Sequence, residues 1–338
     1  MKGLLIVIIL VVYPFGLLFS QIGGEGTYQF VDLTNSARVA GLGGVQVAFT
    51  DNDLNLVYYN PSLLSDSMRN QLSLNYVRYL AGIGVGYVSF APNFKGRNVF
   101  AAGIHYVNYG TFEGASETGV ITGTFKASEY AINLYYSRTI SSNLRAGVNI
   151  KPIFSFLENY HSIGFAADLG ITGISNNKLL VGALVVKNMG RQITTYYENG
   201  EREKLPFNVQ LGFSKRLANA PVRFYATFDQ LNNWNIVYSN TSGDPIETSL
   251  GDFSSILMSH LILGGEIYPQ QYLTLRFGYN YRRQKELAVN ARPGLVGFSA
   301  GVGVKIGKFA MNYGIASFHL AETAHYFSLS TSLSQFIH

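Results

Sequence analysis

The sequence predicts an all-β fold, a transmembrane antiparallel β-barrel of about fourteen strands, with an N-terminal lumen plug containing short helices. Three observations predict it. The chain opens on an apolar leader that breaks into polar sequence, alternates apolar and polar residues with period two along most of its length, and sorts its connections into short and long by parity.

In the leader, Met1-Lys2 precedes an apolar run over 3–19, which ends at Ser20-Gln21 and gives way to polar, glycine-rich sequence. Pro14 and Gly16 weaken a helix near the end of the run, and Ser20 is the small residue a signal peptidase needs. Residues 1–20 are therefore read as a cleaved signal peptide, and the mature chain is expected to begin at Gln21. Intact-mass measurement of the protein from outer membranes checks this; retention of 1–20 would contradict it.

Composition narrows the surroundings. Cysteine is absent, which excludes disulfides, a thiolate nucleophile and Cys-based zinc or iron-sulfur sites. Only 13% of residues are charged against 14% aromatic, whereas a soluble domain carries about a quarter charged residues. Outer-membrane lipid is thus an expected neighbour. The formal charge of +5 is small and unclustered, so no nucleic-acid partner is expected.

Period-two alternation is plainest after Tyr272. Leu273, Leu275, Phe277, Tyr279 and Tyr281 fall on one face, and Thr274, Arg276, Gly278, Asn280 and Arg282 on the other. Segments of this kind from residue 71 onward centre near 75, 87, 104, 133, 149, 167, 183, 211, 226, 263, 276, 301, 313 and 331. Their even number lets both ends of the barrel lie on the periplasmic side.

Short links are expected at 92–98, 141–143, 175–177, 218–220, 269–271 and Gly307, and long ones at 110–119, 189–205, 231–259 and 283–295, with 80–82 a short exception among the odd links. Membrane barrels have short periplasmic turns and longer outer loops. A soluble sandwich would carry Lys and Glu on its polar strand face; here that face carries Asn, Ser, Thr, Gln and Gly with occasional Arg.

Residues 21–70 do not alternate, and are read as a separate segment plugging the lumen of the 71–338 barrel. Ser36, Ala37, Arg38, Gly41, Gly43 and Gly44 lie in a short helix-like run with a glycine stop, and Asn60 and Pro61 open a turn into another short helix. Gly82, Gly84 and Gly86, spaced by two, are expected to leave room for backbone approach inside the wall.

Chemistry-bearing residues form no catalytic pattern. His319, Glu322 and His325 have poor spacing for one strand or one helix face, and Gly301, Gly303 and Gly307 sit in an alternating strand that opens no helix. Asp168 and Asp229, with Arg145, Arg223 and Arg276, fall on polar strand faces and are read as lumen ion pairs. No enzyme activity, cofactor or metal is expected.

The opening Tyr28-Gln29-Phe30-Val31-Asp32-Leu33, then Ser36-Ala37-Arg38, Gly41-Leu42-Gly43-Gly44 and Tyr59-Asn60-Pro61-Ser62-Leu63-Leu64, resembles the PorQ family of the type IX secretion system. So do Gly103-Ile104-His105-Tyr106-Val107-Asn108-Tyr109-Gly110, the segment Leu205-Pro206-Phe207-Asn208-Val209-Gln210-Leu211-Gly212, and Ala220-Pro221-Val222-Arg223-Phe224, so the resemblance spans the mature chain. The SAR…GLGG and NPS pieces are shared with the related PorV and other FadL-like barrels. The resemblance implies a FadL-like barrel in the outer membrane of Bacteroidota. It also implies a non-catalytic role in cargo export and cell-surface attachment, anchoring a PorZ-like surface partner beside PorU and PorV. A different class of function, FadL-type transport of a hydrophobic small molecule, is the alternative. For a protein partner, the long loops offer Tyr196, Tyr197, Trp234 and Tyr238 as aromatic anchors and Arg282, Arg283 and Arg292 as forked donors.

Overall fold

The computed structural model of the chain describes residues 26–336 except 50, 95, 97, 117, 199, 235–249, 288–293 and 320–321. The expected signal peptide lies outside the described residues. From Gln71 onward, strands pair only with their neighbours in sequence, and the first closes on the last. They are β1 Gln71–Arg78, β2 Gly84–Phe90, β3 Asn98–Ala115, β4 Ile121–Ser141, β5 Leu144–Leu157, β6 Tyr160–Ile174 and β7 Leu180–Gln192. The second half is β8 Asn208–Arg216, β9 Val222–Phe228, β10 Leu261–Gln270, β11 Leu273–Asn280, β12 Phe298–Ile306, β13 Phe309–His319 and β14 Glu322–Ser332. All fourteen are antiparallel, and the seam runs from Gln71 opposite Ser332 to Arg78 opposite His325. Closure leaves no unpaired edge in lipid, which is why a sheet can cross a membrane.

Facing follows the alternation. In β11, Arg276, Gly278 and Asn280 are buried inward while Phe277 is exposed on the outer face. Leu275 shares that outer face, so Leu275→Arg is expected to cost about 2–4 kcal/mol, and a polar change at lumen-facing Thr274 much less. Refolding into lipid vesicles under urea ranks the two; the reverse order would shift the strand's register by one residue.

Strand length is uneven. β3 to β7 have 18, 21, 14, 15 and 13 residues, while a tilted strand needs only about 9–11 to cross the hydrocarbon. The expected loop at 110–119 is mostly strand. β-Bulges between Asn108 and Gly110 and between Gly114 and Ala115 absorb the glycines, Phe112 stacks on Phe125 at 5.3 Å, and the turn closes with Ser116 N donating to Val120 O at 2.8 Å. β2 reaches only to Asn108 of β3, and β5 only to Ala127 of β4. Residues 109–115 and 121–126 therefore rise past their neighbours as a two-stranded arm. The other expected long links, 189–205, 231–259 and 283–295, are shortened by regular structure: β7 continues to Gln192, and the helices α2 Leu250–His260 and α3 Tyr281–Leu287 lie in the last two. These links mark the outward end of the barrel.

The lumen is filled by the chain's own N-terminal segment. Residues 26–70 form the helix α1 Ala37–Ala40 and short 3-10 turns at Gln29–Asp32, Leu54–Tyr58, Pro61–Leu63 and Asp66–Met68. The segment starts at the outward mouth, where Tyr28 bonds Ser162 of β6, and ends at the opposite face, where Asn70 leads into β1. Phe30, Val31, Val39, Leu42, Val47, Phe49, Leu56 and Leu63 are buried between it and the wall.

Candidate functional site

Two parts of the molecule concentrate specific geometry: the sockets that hold the N-terminal segment, and a cup at the outward mouth. The sockets are built where the wall has no side chain. A Cβ on Gly147 would strike Pro61, on Gly170 Asn60, on Gly278 the Leu42–Gly43 backbone, and on Gly314 Ala37. Gly41 packs on Gly301 in the same way. Gly82, Gly84 and Gly86, by contrast, have no plug atom within 4 Å. Val85 and Tyr87 are the inward residues of β2, so Gly84 and Gly86 face lipid, and the expected backbone approach does not occur there.

Around these sockets the plug residues are fixed by directed bonds. Ser36 N donates to Tyr59 Oη at 3.1 Å and Ala37 N to Ser328 Oγ at 2.9 Å. Gly43 and Gly44 have φ of 100° and 96°, a conformation that glycine adopts without strain, and Gly43 N donates to Ser299 Oγ at 3.0 Å. Asn60 Nδ2 donates to Val47 O and Thr172 Oγ1, both at 2.9 Å, while its Oδ1 caps the Pro61–Leu63 turn by accepting from Ser62 N.

Arg38 is the centre of a buried charge cluster. Its Nε and Nη2 donate to Glu266 Oε1 and Oε2 at 2.8 and 2.9 Å, Nη2 also meets Asp51, and the guanidinium lies over Phe49. Arg276 donates to the same Glu266 at 2.8 Å, and Arg223 to Asp51 at 2.7 Å. Burial works against the Arg38 charge, but Glu266 and Asp51 outweigh it and hold the guanidinium protonated. Higher in the lumen, Lys151 pairs with Asp168 at 2.8 Å. A bulge between β6 and β7 turns Asn188 (φ 56°) inward, where it donates to Asp32 of the plug at 2.8 Å. Nothing in the local sequence marked Asn188; the bulge shows only in the pairing register.

The cup occupies about 630 Å³ between the arm, the β5–β6 turn and the first plug residues. Its lining includes Tyr28, Tyr109, Phe112, Phe125, Leu157, Tyr160, Tyr196 and Tyr197, with the carboxylates Glu129 and Glu203. Tyr109 Oη donates to Glu129 Oε2 at 2.5 Å, Tyr196 Oη to Ser155 Oγ at 2.8 Å, and the Tyr160 and Tyr197 rings meet at 4.8 Å. Burial pushes the Tyr28 hydroxyl up to about 12, so it stays a neutral hydrogen-bonding group at the cup floor. The sequence reading placed Tyr196 and Tyr197 on a loop, and missed Tyr109, Phe112, Phe125 and Glu129. Tyr109 and Phe112, three residues apart, line one face only because of the bulge at Asn108–Gly110, which period-two alternation does not show.

Of the residues expected to meet a partner, Tyr238 and Arg292 lie outside the described residues. Trp234 is 40% exposed and stacks on His260 at 5.0 Å. Arg282 and Arg283 are turned toward the barrel. Arg282 donates to Asp229 at 2.8 Å, and Arg283 is 9% exposed with its guanidinium 4.2 Å from the Phe318 ring centroid. The reason is local: 281–287 is a helix capping the plug, not a free loop, and it turns both guanidinium groups onto the barrel. Asp229, Arg223, Arg276 and Asp168 do form the lumen ion pairs expected of them. Among the described residues, His325 bonds Tyr313 and no group of three metal-ligating side chains occurs.

No family model and no curated protein matches the sequence. Solved structures do. The Pseudomonas putida toluene transporter TodX is 13% identical, with 88% of this chain and 97% of that chain covered, at a TM-score of 0.52. The CymD monoaromatic hydrocarbon channel is 12% identical, with 90% and 99% covered, also at 0.52. A Pseudomonas aeruginosa FadL homologue aligns at 11% identity over 88% and 97%, at 0.48. The likeness to TodX and CymD is one of fold, and here that fold is a closed barrel of fourteen strands.

Proposed function

We propose that this chain is a non-catalytic outer-membrane barrel that takes a small hydrophobic molecule into the cup at its outward mouth, as the entry step of uptake. The observation that carries the reading is the cup itself, a ring-lined space of about 630 Å³ resting on the first residues of the plug. Small-molecule sites are typically concave, mostly apolar and about 300–1,000 Å³. The shared fold with a toluene transporter and a monoaromatic hydrocarbon channel supports the substrate class. Exchanging Phe112 and Tyr160 together for Ala removes two rings from the lining. Titration of the detergent-solubilised barrel with toluene, followed by ligand-observed NMR, is expected to show binding weakened at least ~10-fold, about 1.4 kcal/mol. Unchanged affinity would overturn the reading.

A second reading is favoured by the arm and by the PorQ-family resemblance: a type IX secretion component of Bacteroidota that anchors a PorZ-like surface protein, with PorU and PorV as neighbours. The arm at 109–126 stands above the rim, where a surface partner could grip it without disturbing the wall. Deleting 111–124 should leave a folded, heat-modifiable barrel and release that partner from the outer-membrane fraction. Co-purification at normal yield would remove this reading.

A further inference from the structure

We infer that the cup recognises an organic cation, a small protonated or quaternary amine with an apolar body. The inference deepens the small-molecule reading above and rests on it. Four carboxylates are deeply buried among the described residues: Glu129, Asp168, Asp229 and Glu266. Three of them face a cation within the protein. Asp168 has Lys151, Asp229 has Arg282, and Glu266 has Arg38 and Arg276. Glu129 is 6% exposed, and no Lys, Arg or His among the described residues lies within ion-pair distance of it.

Charge and ring chemistry in the cup point the same way. The lining holds a second carboxylate, Glu203, and no basic side chain. Tyr109 donates its hydroxyl hydrogen to one Glu129 oxygen, which fixes the carboxylate's orientation at the cup wall. A buried carboxylate without a counter-ion is unfavourable, and a ligand that carries one positive charge supplies what the fold omits. Aromatic faces attract such a charge through their quadrupoles, most strongly when water is excluded, and rings around a carboxylate suit quaternary ammonium groups in particular. A fatty-acid-like anion would meet two carboxylates and no donor cation there.

The test compares benzyltrimethylammonium with its neutral isostere neopentylbenzene, titrated into the full-length barrel in detergent micelles by calorimetry. The cation is expected to bind at least ~10-fold more tightly, a difference of about 1.4 kcal/mol. Glu129→Gln should abolish that preference while leaving neopentylbenzene binding in place, which also shows that the variant is folded. Tyr160→Ala should weaken the cation more than the neutral compound. Equal affinities, or a preference that survives Glu129→Gln, would overturn the inference and leave the hydrophobic-ligand reading standing. If neither compound binds, both fall.

Discussion

Arg38→Ala is expected to destabilise the plugged barrel by about 3–5 kcal/mol, because it removes one partner from a buried charge cluster and leaves Glu266 with Arg276 alone. Removing both charges of a buried pair can be nearly neutral; removing one is not, since the survivor keeps its desolvation cost. Urea unfolding of the barrel in lipid vesicles measures the difference, and a loss below ~1 kcal/mol would mean that the cluster does not hold the plug. Acidity gives an independent view through Asp51. Burial pushes its carboxyl up, but Arg38 and Arg223 pull it further down, so it ends below its usual value. A group with a depressed folded pKa stabilises above its unfolded value, about 3.9, and that stability is lost only as pH falls through the folded pKa. Asp51's contribution should therefore stay constant from pH 7 to about pH 4 in the natural protein. In Arg38→Ala that contribution should be smaller at every pH above about 4, since the main charge holding Asp51 ionised is gone.

Gly278→Ala is expected to cost about 3 kcal/mol or more. The added Cβ would lie closer than 3.0 Å to Gly43 N and the Leu42 carbonyl carbon, and to Ser299 Oγ. The first two are backbone atoms of a turn pinned on both sides, so neither can swing away as a flexible side chain would. Gly86→Ala is the control: nothing lies within 4 Å of its Cβ position, and the substitution should be neutral or slightly stabilising. Equal stability of the two variants would show that the Leu42–Gly43 turn is not seated against β11.

How much of this was legible beforehand depended on the range of the interaction involved. Alternation at Leu273 to Asn280 is written in adjacent residues, so strand number and facing were accessible, as was the non-alternating character of 26–70. Gly278 and Gly86 look alike in sequence. Only the register that brings Gly43 to one and lipid to the other distinguishes them, and that register is a contact over more than two hundred residues. Gly110 was read as the start of a long polar link; a β-bulge instead let β3 continue, and with it rose the wall of the cup. Arg283 looked like a surface donor for a similar reason. The helix that buries it gives a weak signal inside a polar stretch, and its partner ring, Phe318, belongs to β13.

The course of the N-terminal segment, entering at the mouth beside Ser162 and leaving at the opposite face into β1, has a consequence for assembly. This segment touches β5, β6 and β8 as well as β10 to β14, so it contacts strands on both sides of the β1–β14 seam. A cylinder already sealed would have to admit a chain through a lumen that the same chain fills. The wall is therefore expected to wrap around the segment as β14 meets β1. Sealing the cylinder and ordering its contents are then one cooperative event, and weakened sockets should slow insertion as well as lower equilibrium stability.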